Sequence, residues 1–240
     1  MSRQKRYVAH FDMLGFKSAT PRNPDEAWGA LSDLEASMSY ILGLHLQILE
    51  SGEILSNRIK AHIFSDSVLV YTLKEEPEDL LSILFLTAHL FAESLKNRVP
   101  LRGGISYGDF FFNFEKNLFC GVPFVNAYEL GEMGQWSGIV LDEIVVEHFF
   151  RNPGKMPLPT THVIKWDVPI KQKGTKKCWV VNWPYIFQES FTKKPPISVQ
   201  DYFEAFESLF GPYNKLPESV KLKYQNTVQF INSSLQGDWK

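Results

Sequence analysis

The order of strand-like and helix-like segments constrains the fold of this chain more than any other feature. The pattern predicts a strand and turn over 7–16 and an amphipathic helix over 26–50. It then predicts a hairpin over 59–72, a helix over 77–98 and a strand over 101–114. This β-α-β-β-α-β order is typical of an α+β domain with a ferredoxin-like antiparallel sheet and helices on one face.

The remaining segments extend this unit and then change in character. Weaker strand and helix signals follow at 118–120, 124–134, 139–150 and 163–181. Beyond a proline-rich stretch, two amphipathic helices are predicted over 199–210 and 217–235, with a role in packing or dimer formation. We therefore predict a domain over 6–183 and a C-terminal helical extension over 184–240. Because one face of the sheet stays partly uncovered, we expect a second copy of the chain to cover it.

Two aspartates lie in segments that otherwise predict strands, namely Asp12 and Asp66. Aspartate is depleted in strands because a carboxylate is costly to bury. If the two strands are neighbours, both carboxylates can share a divalent cation. The alternative is that each Asp only caps a turn. Gly15 follows Asp12 closely and permits a sharp turn whose amides can receive phosphate oxygens, so the pattern favours chemistry on a nucleoside triphosphate.

Charge and cysteine content exclude several other classes of protein. The formal net charge of −2 does not favour nucleic-acid binding, which usually accompanies a basic excess. Cys120 and Cys178 are too few for a disulfide scaffold or a zinc site. No apolar run is long enough for a membrane span, and no signal-peptide core follows the basic N-terminus. We therefore expect a cytoplasmic protein without nucleic-acid or membrane partners.

A series of short motifs resembles, in order, the landmarks of the class III nucleotidyl cyclase family. The motifs are FDMLGF (11–16), SD (65–66), RGGISYG (102–108), GVPFVNA (121–127) and IKQKGTKKCW (170–179). Each motif is weak alone, and their order over 6–183 carries the resemblance. It implies a homodimer with active sites shared between protomers. It also implies that a ribose 3′-hydroxyl attacks the α-phosphorus and expels pyrophosphate.

The resemblance also implies roles for individual residues. Two Mn²⁺ or Mg²⁺ ions per site are expected at Asp12, Asp66 and the Met13 backbone. The residues expected to bind the nucleotide are Phe11, Met13, Leu14, Gly15, Phe16, Lys60, His62, Lys171 and Lys173. Among these, the amides of residues 14–16 and the lysines at 171 and 173 are expected to contact phosphate. The lysines also suit a solvated turn, and Lys60 and His62 also suit an exposed strand end.

The chain departs from the purine-specific members of that family. Asn126 matches a catalytic asparagine, although its distance from Gly121 is one residue longer than usual and leaves Val125 as the alternative position. Leu130 stands where an arginine is usual, so Arg102 is the candidate substitute in stabilising the transition state. His62 replaces the usual base-reading lysine, and the second base-reading position falls near Leu118. These features resemble the pyrimidine cyclase branch of Pycsar antiphage defence.

Membership of that branch implies a Mn²⁺-dependent uridylate or cytidylate cyclase, which produces cyclic UMP or cyclic CMP. It also implies a separate effector with a cyclic-nucleotide-binding module. The alternatives are an adenylyl or guanylyl cyclase with unusual base readers and an inactive cyclase-homology module that dimerises or binds nucleotide.

Overall fold

The computed structural model describes residues 2–43, 58–113, 116, 118–151, 160–172, 174–190 and 197–237. The strands are β1 (Ser2–Met13), β2 (Ile59–Phe64), β3 (Ser67–Thr72), β4 (Leu101–Asn113), β5 (Leu118–Gly121), β6 (Ile139–Leu141), β7 (Val163–Pro169) and β8 (Thr175–Val181). The α-helices are α1 (Phe16–Ala19), α2 (Pro24–Gly43), α3 (Pro77–Lys96), α4 (Val122–Met133), α5 (Glu143–Arg151), α6 (Trp183–Ser190), α7 (Val199–Glu204), α8 (Glu207–Phe210) and α9 (Glu218–Gln236). The predicted α+β class is confirmed.

The described strands form one sheet in the order β2-β3-β1-β4-β6-β8-β7, with β5 paired to β4. Its first four strands have the predicted ferredoxin-like arrangement, since β1 lies between β3 and β4 and pairs antiparallel with both. The sheet is not antiparallel throughout, because β6 runs parallel to β4 with Gly103 opposite Ile139. Parallel neighbours need a long crossover, and α4 lies within the connection between these two strands.

The two faces of the sheet bury different side chains because successive strand residues point to opposite sides. On β1, alternate residues from Tyr7 to Met13 belong to the main hydrophobic core. There the ring of Phe11 lies 5.5 Å from that of Phe91 in α3. The helices α2 and α3 bury their apolar stripes in this core. The intervening residues of β1, which include Asp12, therefore face the opposite side of the sheet.

The opposite face is partly covered by α4, which approaches β4 closely because glycines leave room. A Cβ atom on Gly104 would lie 2.6 Å from the Cβ of Leu130 in α4. A Cβ atom on Gly131 would lie 2.7 Å from the Cα of Gly103. Both distances are shorter than real carbon contacts allow, so larger residues here would force the helix away from the sheet. The sequence predicts helices on one face of the sheet, and the structure adds α4 on the other face.

The C-terminal extension packs directly on the preceding part of the chain. The ring of Phe230 in α9 meets the buried Trp136 indole edge-on, with 4.7 Å between ring centroids. The Ser137 N–H donates a hydrogen bond of 2.8 Å to Thr227 Oγ1 on the same helix. The packing role predicted for this helix agrees with these contacts, and the domain division at residue 183 stays a prediction. In the described ranges, none of the helices is long and apolar enough to cross a bilayer.

Two helix predictions differ from the structure. The segment 199–210 forms α7 and α8, because the Phe206 N–H bonds to the Phe203 carbonyl three residues back and tightens the end of α7. The helix α2 begins at Pro24, whose fixed φ suits a first helical turn. Asp25 therefore lies inside the first turn, where its charge complements the helix dipole. The part of this helix predicted beyond residue 43 lies outside the described residues.

Candidate active site

The hairpin of β2 and β3 brings Asp66 next to Asp12. Ser67, which directly follows Asp66, is the cross-strand partner of Asp12. The Met13 N–H donates a hydrogen bond of 2.8 Å to the Asp66 carbonyl oxygen. Ser65 adopts a positive φ of 55°, which allows the tight two-residue turn. The structure thus brings together the two aspartates that the sequence predicts to share a cation.

The Asp12 carboxylate lies in a partly buried and acidic environment. Burial raises the pKa of Asp12, and Arg102 opposes this through its charge and a hydrogen bond. Glu132 and Asp66 raise the pKa of Asp12 further, because neighbouring negative charges disfavour its ionised form. A bound cation would relieve both effects by offsetting the desolvated and crowded negative charge.

The donor atoms at this point of the sheet fit Mn²⁺ or Mg²⁺. Asp12, Asp66 and the Met13 carbonyl offer oxygen ligands only, which both ions prefer. No group of three or more His, Cys, Asp or Glu side chains forms a metal cluster within the ranges given above. Substrate phosphate oxygens would therefore have to complete the coordination. Mg²⁺ is commonly held in this way, by one or two carboxylates together with phosphates.

β4 places Arg102 directly opposite Asp12. Its Nη2 atom donates a hydrogen bond of 2.9 Å to Asp12 Oδ2 and also contacts the Glu132 carboxylate at the end of α4. Its Nη1 atom donates to the Gly134 carbonyl oxygen at 3.1 Å. With its side chain 5% exposed, Arg102 is held within its own chain and neutralises carboxylates there. The sequence prediction that Arg102 belongs to the site stays a prediction, and the structure brings it into contact with Asp12.

Two residues that the sequence did not point to, Glu132 and Lys223, lie in the same cluster. Burial favours the neutral form of Glu132, but a hydrogen bond from Lys171 and the charge of Arg102 lower its pKa overall. Burial lowers the pKa of Lys223 in α9, and the charges of Arg102 and Lys171 lower it further. Glu132 lies beyond the motif at the start of α4, and Lys223 lies in a helix that shows only amphipathic spacing, so no local motif includes either residue.

The turn after β1 has the expected conformation, with one correction. Gly15 adopts a positive φ of 80°, a region that favours glycine. The Leu14 N–H donates a hydrogen bond of 2.8 Å to the Pro100 carbonyl oxygen, so the expectation that this amide binds phosphate is wrong. The amides of Gly15 and Phe16 have no acceptor among the described residues, so they are open to an anion. The side chains of Phe11 and Phe16 are buried, so only their backbone groups can reach a nucleotide.

The predicted base-reading residue His62 opens onto a cavity of about 520 Å³ beside the hairpin. The other residues lining it are Ile63, Phe64, Leu69, Leu118, Phe119 and Phe124. Burial, with a smaller effect of the Lys60 charge, lowers the pKa of His62. The imidazole lies parallel to the ring of Tyr71 with 5.9 Å between centroids. Lys60 is exposed and does not line this cavity, whereas the predicted position near Leu118 does.

Asn126 is oriented towards its own chain. Its Nδ2 atom donates to Asp142 Oδ2 at 3.4 Å and to Ser106 Oγ at 3.5 Å. The preceding Val125 is 51% exposed on the outer surface of α4. Lys173, predicted to contact phosphate, lies outside the described residues.

Comparison with solved structures identifies the fold. The adenylyl cyclase CyaB from P. aeruginosa superimposes with a TM-score of 0.53 at 14% identity, covering 75% of this chain and 94% of that one. The catalytic core of a rhodopsin-guanylyl cyclase with converted specificity, in complex with ATPalphaS, gives 0.49 at 13% identity, covering 75% of this chain and 95% of that one. No protein-family model and no curated protein matches the sequence. The chain therefore has the fold of a cyclase catalytic domain, as the sequence motifs predict.

Proposed function

We propose that this protein is a nucleotide cyclase, which converts a nucleoside triphosphate into a 3′,5′-cyclic monophosphate and pyrophosphate. The observation that carries the proposal is that Asp12 and Asp66 lie next to each other, on neighbouring strands of a cyclase fold. The open amides of Gly15 and Phe16 follow directly after the first of these strands. Paired carboxylates beside an anion-binding turn suit the transfer of a charged phosphoryl group.

Each group then has a part in the reaction. Asp12, Asp66 and the Met13 carbonyl would hold two divalent ions, which when bound would supply Lewis-acid activation of the 3′-hydroxyl and charge neutralisation of the triphosphate. The Gly15 and Phe16 amides donate hydrogen bonds to phosphate oxygens and orient the triphosphate for in-line attack. The 3′-oxygen forms a bond to the α-phosphorus as the bond between the α-phosphorus and the bridging oxygen of the β-phosphate breaks. Pyrophosphate leaves, and the proton of the 3′-hydroxyl is released to water. Arg102 holds Asp12 in place through the 2.9 Å hydrogen bond.

A pyrimidine nucleotide, UTP or CTP, is the proposed substrate. Among the described residues that line the cavity beside the hairpin, His62 has the one polar side chain. Burial keeps its imidazole neutral near pH 7. Its Nε2 atom is hydrogen-bonded to the Tyr71 hydroxyl at 3.4 Å, so Nδ1 is the ring nitrogen that can meet the edge of a base. In the part of the chain that the structure describes, no carboxylate or cysteine lines the cavity to read a purine. An adenylyl or guanylyl cyclase, as the structural neighbours are, is the alternative.

A homodimer with shared sites is part of the proposal. Exposed apolar side chains flank the same cavity and the outer face of α4. They are Phe64, Leu118, Val122, Val125 and Tyr128, with exposed fractions between 44% and 64%. Such a cluster is costly in water and favours a partner surface. The role in antiviral defence, with a separate cyclic-nucleotide-binding effector as reader of the product, follows from the sequence resemblance alone.

One observation favours a second candidate, a nucleotide-binding module without turnover. Arg102 is buried against Asp12, so the carboxylate needed for a metal is already paired. The described helix α4 contains no arginine that could stabilise the transition state. A module of this kind would bind nucleotide and dimerise without forming a cyclic product.

Product analysis distinguishes these functions. The purified protein is incubated with Mn²⁺ and each of ATP, GTP, CTP and UTP separately, and products are identified by mass spectrometry. Cyclic UMP or cyclic CMP supports the pyrimidine cyclase, and cyclic AMP or cyclic GMP supports the alternative substrate class. Nucleotide binding without any product would refute cyclase activity and support the binding module.

Single substitutions then test the proposed metal ligands. Asp12→Asn and Asp66→Asn should each lower turnover by about a thousandfold or more, because loss of a catalytic metal ligand removes several kcal/mol of transition-state stabilisation. The control is Asp109→Asn, which changes an exposed aspartate on β4 that pairs with Arg3. This control should keep full activity. Wild-type turnover in either of the first two variants would rule out the two-carboxylate site.

A further inference from the structure

The C-terminal helix places a lysine beside the phosphate-binding turn. Lys223 of α9, Leu14 and Gly15 line one cavity of about 170 Å³. Arg22, just after α1, lines the same cavity and adds a second positive charge to its wall. The C-terminal extension contains no sequence motif for chemistry. It nevertheless contributes a cation beside the turn after β1, where the Gly15 and Phe16 amides are open to an anion.

Contacts one helical turn further along fix the position of this lysine. Asn226 Nδ2 donates a hydrogen bond of 2.7 Å to the Gln135 carbonyl oxygen. Thr227 Oγ1 accepts one of 2.8 Å from the Ser137 N–H. Two hydrogen bonds to the loop over 134–138 therefore hold this part of α9 against the domain. They fix the backbone from which the Lys223 side chain extends.

The charges in the cluster leave Lys223 without a partner. Arg102 pairs with Asp12 and Glu132, and Lys171 pairs with Glu132. The Lys223 ammonium group has no hydrogen bond and no carboxylate within 4.0 Å among the residues that the structure describes. Burial lowers the pKa of Lys223, and the charges of Arg102 and Lys171 lower it further, whereas the charges of Asp12 and Glu132 oppose this only in part, so the ammonium form is destabilised overall. A bound anion would relieve this cost.

We propose that Lys223 binds the terminal phosphates of the triphosphate and the departing pyrophosphate. The inference rests on the proposed function for the identity of the anion. It extends that function by assigning part of the phosphate site to a helix outside the predicted domain over 6–183. A lysine acts here as a point charge, and the negative charge that builds on the leaving pyrophosphate is what it stabilises.

Binding of phosphate chains without a nucleoside tests this assignment separately from cyclase activity. Tripolyphosphate and pyrophosphate are titrated into the full-length protein with Mn²⁺ by calorimetry. Lys223→Met should weaken both by about tenfold or more, equivalent to about 1.4 kcal/mol. Lys223→Gln should show the same loss, which guards against poor folding of the methionine variant. Lys223→Arg should stay within about threefold of the wild type because it keeps the charge.

The matched control is Lys221→Met, two residues away on the same helix, where the lysine pairs with Glu218. It should bind both phosphate chains within about twofold of the wild type. Equal losses at 221 and 223, unchanged binding in Lys223→Met, or no binding by the wild type would each overturn the assignment. If only the variants at position 223 lose affinity for the phosphate chains, the assignment of Lys223 is supported. This holds even if the protein forms no cyclic product, since that result would refute only the proposed cyclase activity.

Discussion

Replacing Arg102 by methionine removes the charge that links β1, β4 and the end of α4. In the wild type, the guanidinium group is 5% exposed and contacts Asp12, Glu132 and the Gly134 carbonyl oxygen. Methionine keeps much of the apolar stem, so the packing of the strand should survive. The variant leaves two carboxylates without their shared cation and one carbonyl without its donor.

The size of the effect follows from the exposure of the partners. Breaking a buried ion pair costs about 3–5 kcal/mol because the remaining charge is left desolvated. The Asp12 and Glu132 side chains are 30% and 31% exposed, so water can partly solvate them again. We therefore expect a loss of about 2–3 kcal/mol, or about 5–10 °C in melting temperature for a chain of this length.

Urea unfolding followed by tryptophan fluorescence measures this loss, with Arg98→Met as the matched control. Arg98 also contacts two carboxylates, Glu26 at 2.8 Å and Asp33 at 3.4 Å, but it lies at the surface with 32% of its side chain exposed. Surface pairs of this kind contribute about 0–1 kcal/mol. A loss in Arg102→Met no larger than in Arg98→Met would refute the argument that burial makes the first pair important.

The pH dependence gives a second check with a definite sign. Burial already raises the pKa of Asp12, and removing Arg102 should raise it further. A carboxyl group whose pKa is higher in the folded chain than in the unfolded chain destabilises the folded chain once it is ionised. The stability of the protein therefore falls as the pH rises from the unfolded pKa to the folded pKa of that group. The deficit of Arg102→Met should therefore be largest near pH 7. It should shrink as the pH approaches about 4, the unfolded value for aspartate. A deficit independent of pH would contradict the assignment.

Three other predictions concern packing, base reading and assembly. Gly104→Ala should lower the free energy of unfolding in urea by about 1–3 kcal/mol, because its Cβ would overlap Leu130. Gly29→Ala in α2 has open space around the new Cβ and should raise that free energy by about 0.5–1 kcal/mol. Equal effects of the two substitutions would contradict the close packing of α4. Since burial lowers the pKa of His62, the ratio of cyclic products should stay constant between about pH 6.5 and 8; a change in the ratio would show a titrating base reader. Val125→Asp should dissociate the proposed dimer in light scattering, because it puts a charge in an exposed apolar surface; an unchanged mass would place the interface elsewhere.

Local pattern in the sequence was sufficient for the order of elements and for the face on which Asp12 lies. Strand alternation and helical spacing depend on neighbours a few residues apart, so they can be recognised without the fold. The predicted pairing of Asp12 and Asp66 also followed from alternation combined with a familiar strand order. The strand β6 was predicted, but its parallel direction was missed because it depends on long-range pairing with β4. The split near Phe206 was missed because it depends on one backbone hydrogen bond, which no periodic pattern encodes.

The surroundings of the aspartates were decided only by the tertiary structure. Arg102 meets Asp12 across 90 positions of sequence because β1 and β4 pair in one particular register. Glu132 and Lys223 reach the same cluster from the end of α4 and from α9, and neither residue belongs to a sequence motif. The sequence by itself determined which residues can ligate a metal, since that depends on side-chain chemistry. Which charges balance those residues depends on long-range packing, because electrostatic effects follow distance in space and burial rather than separation along the chain.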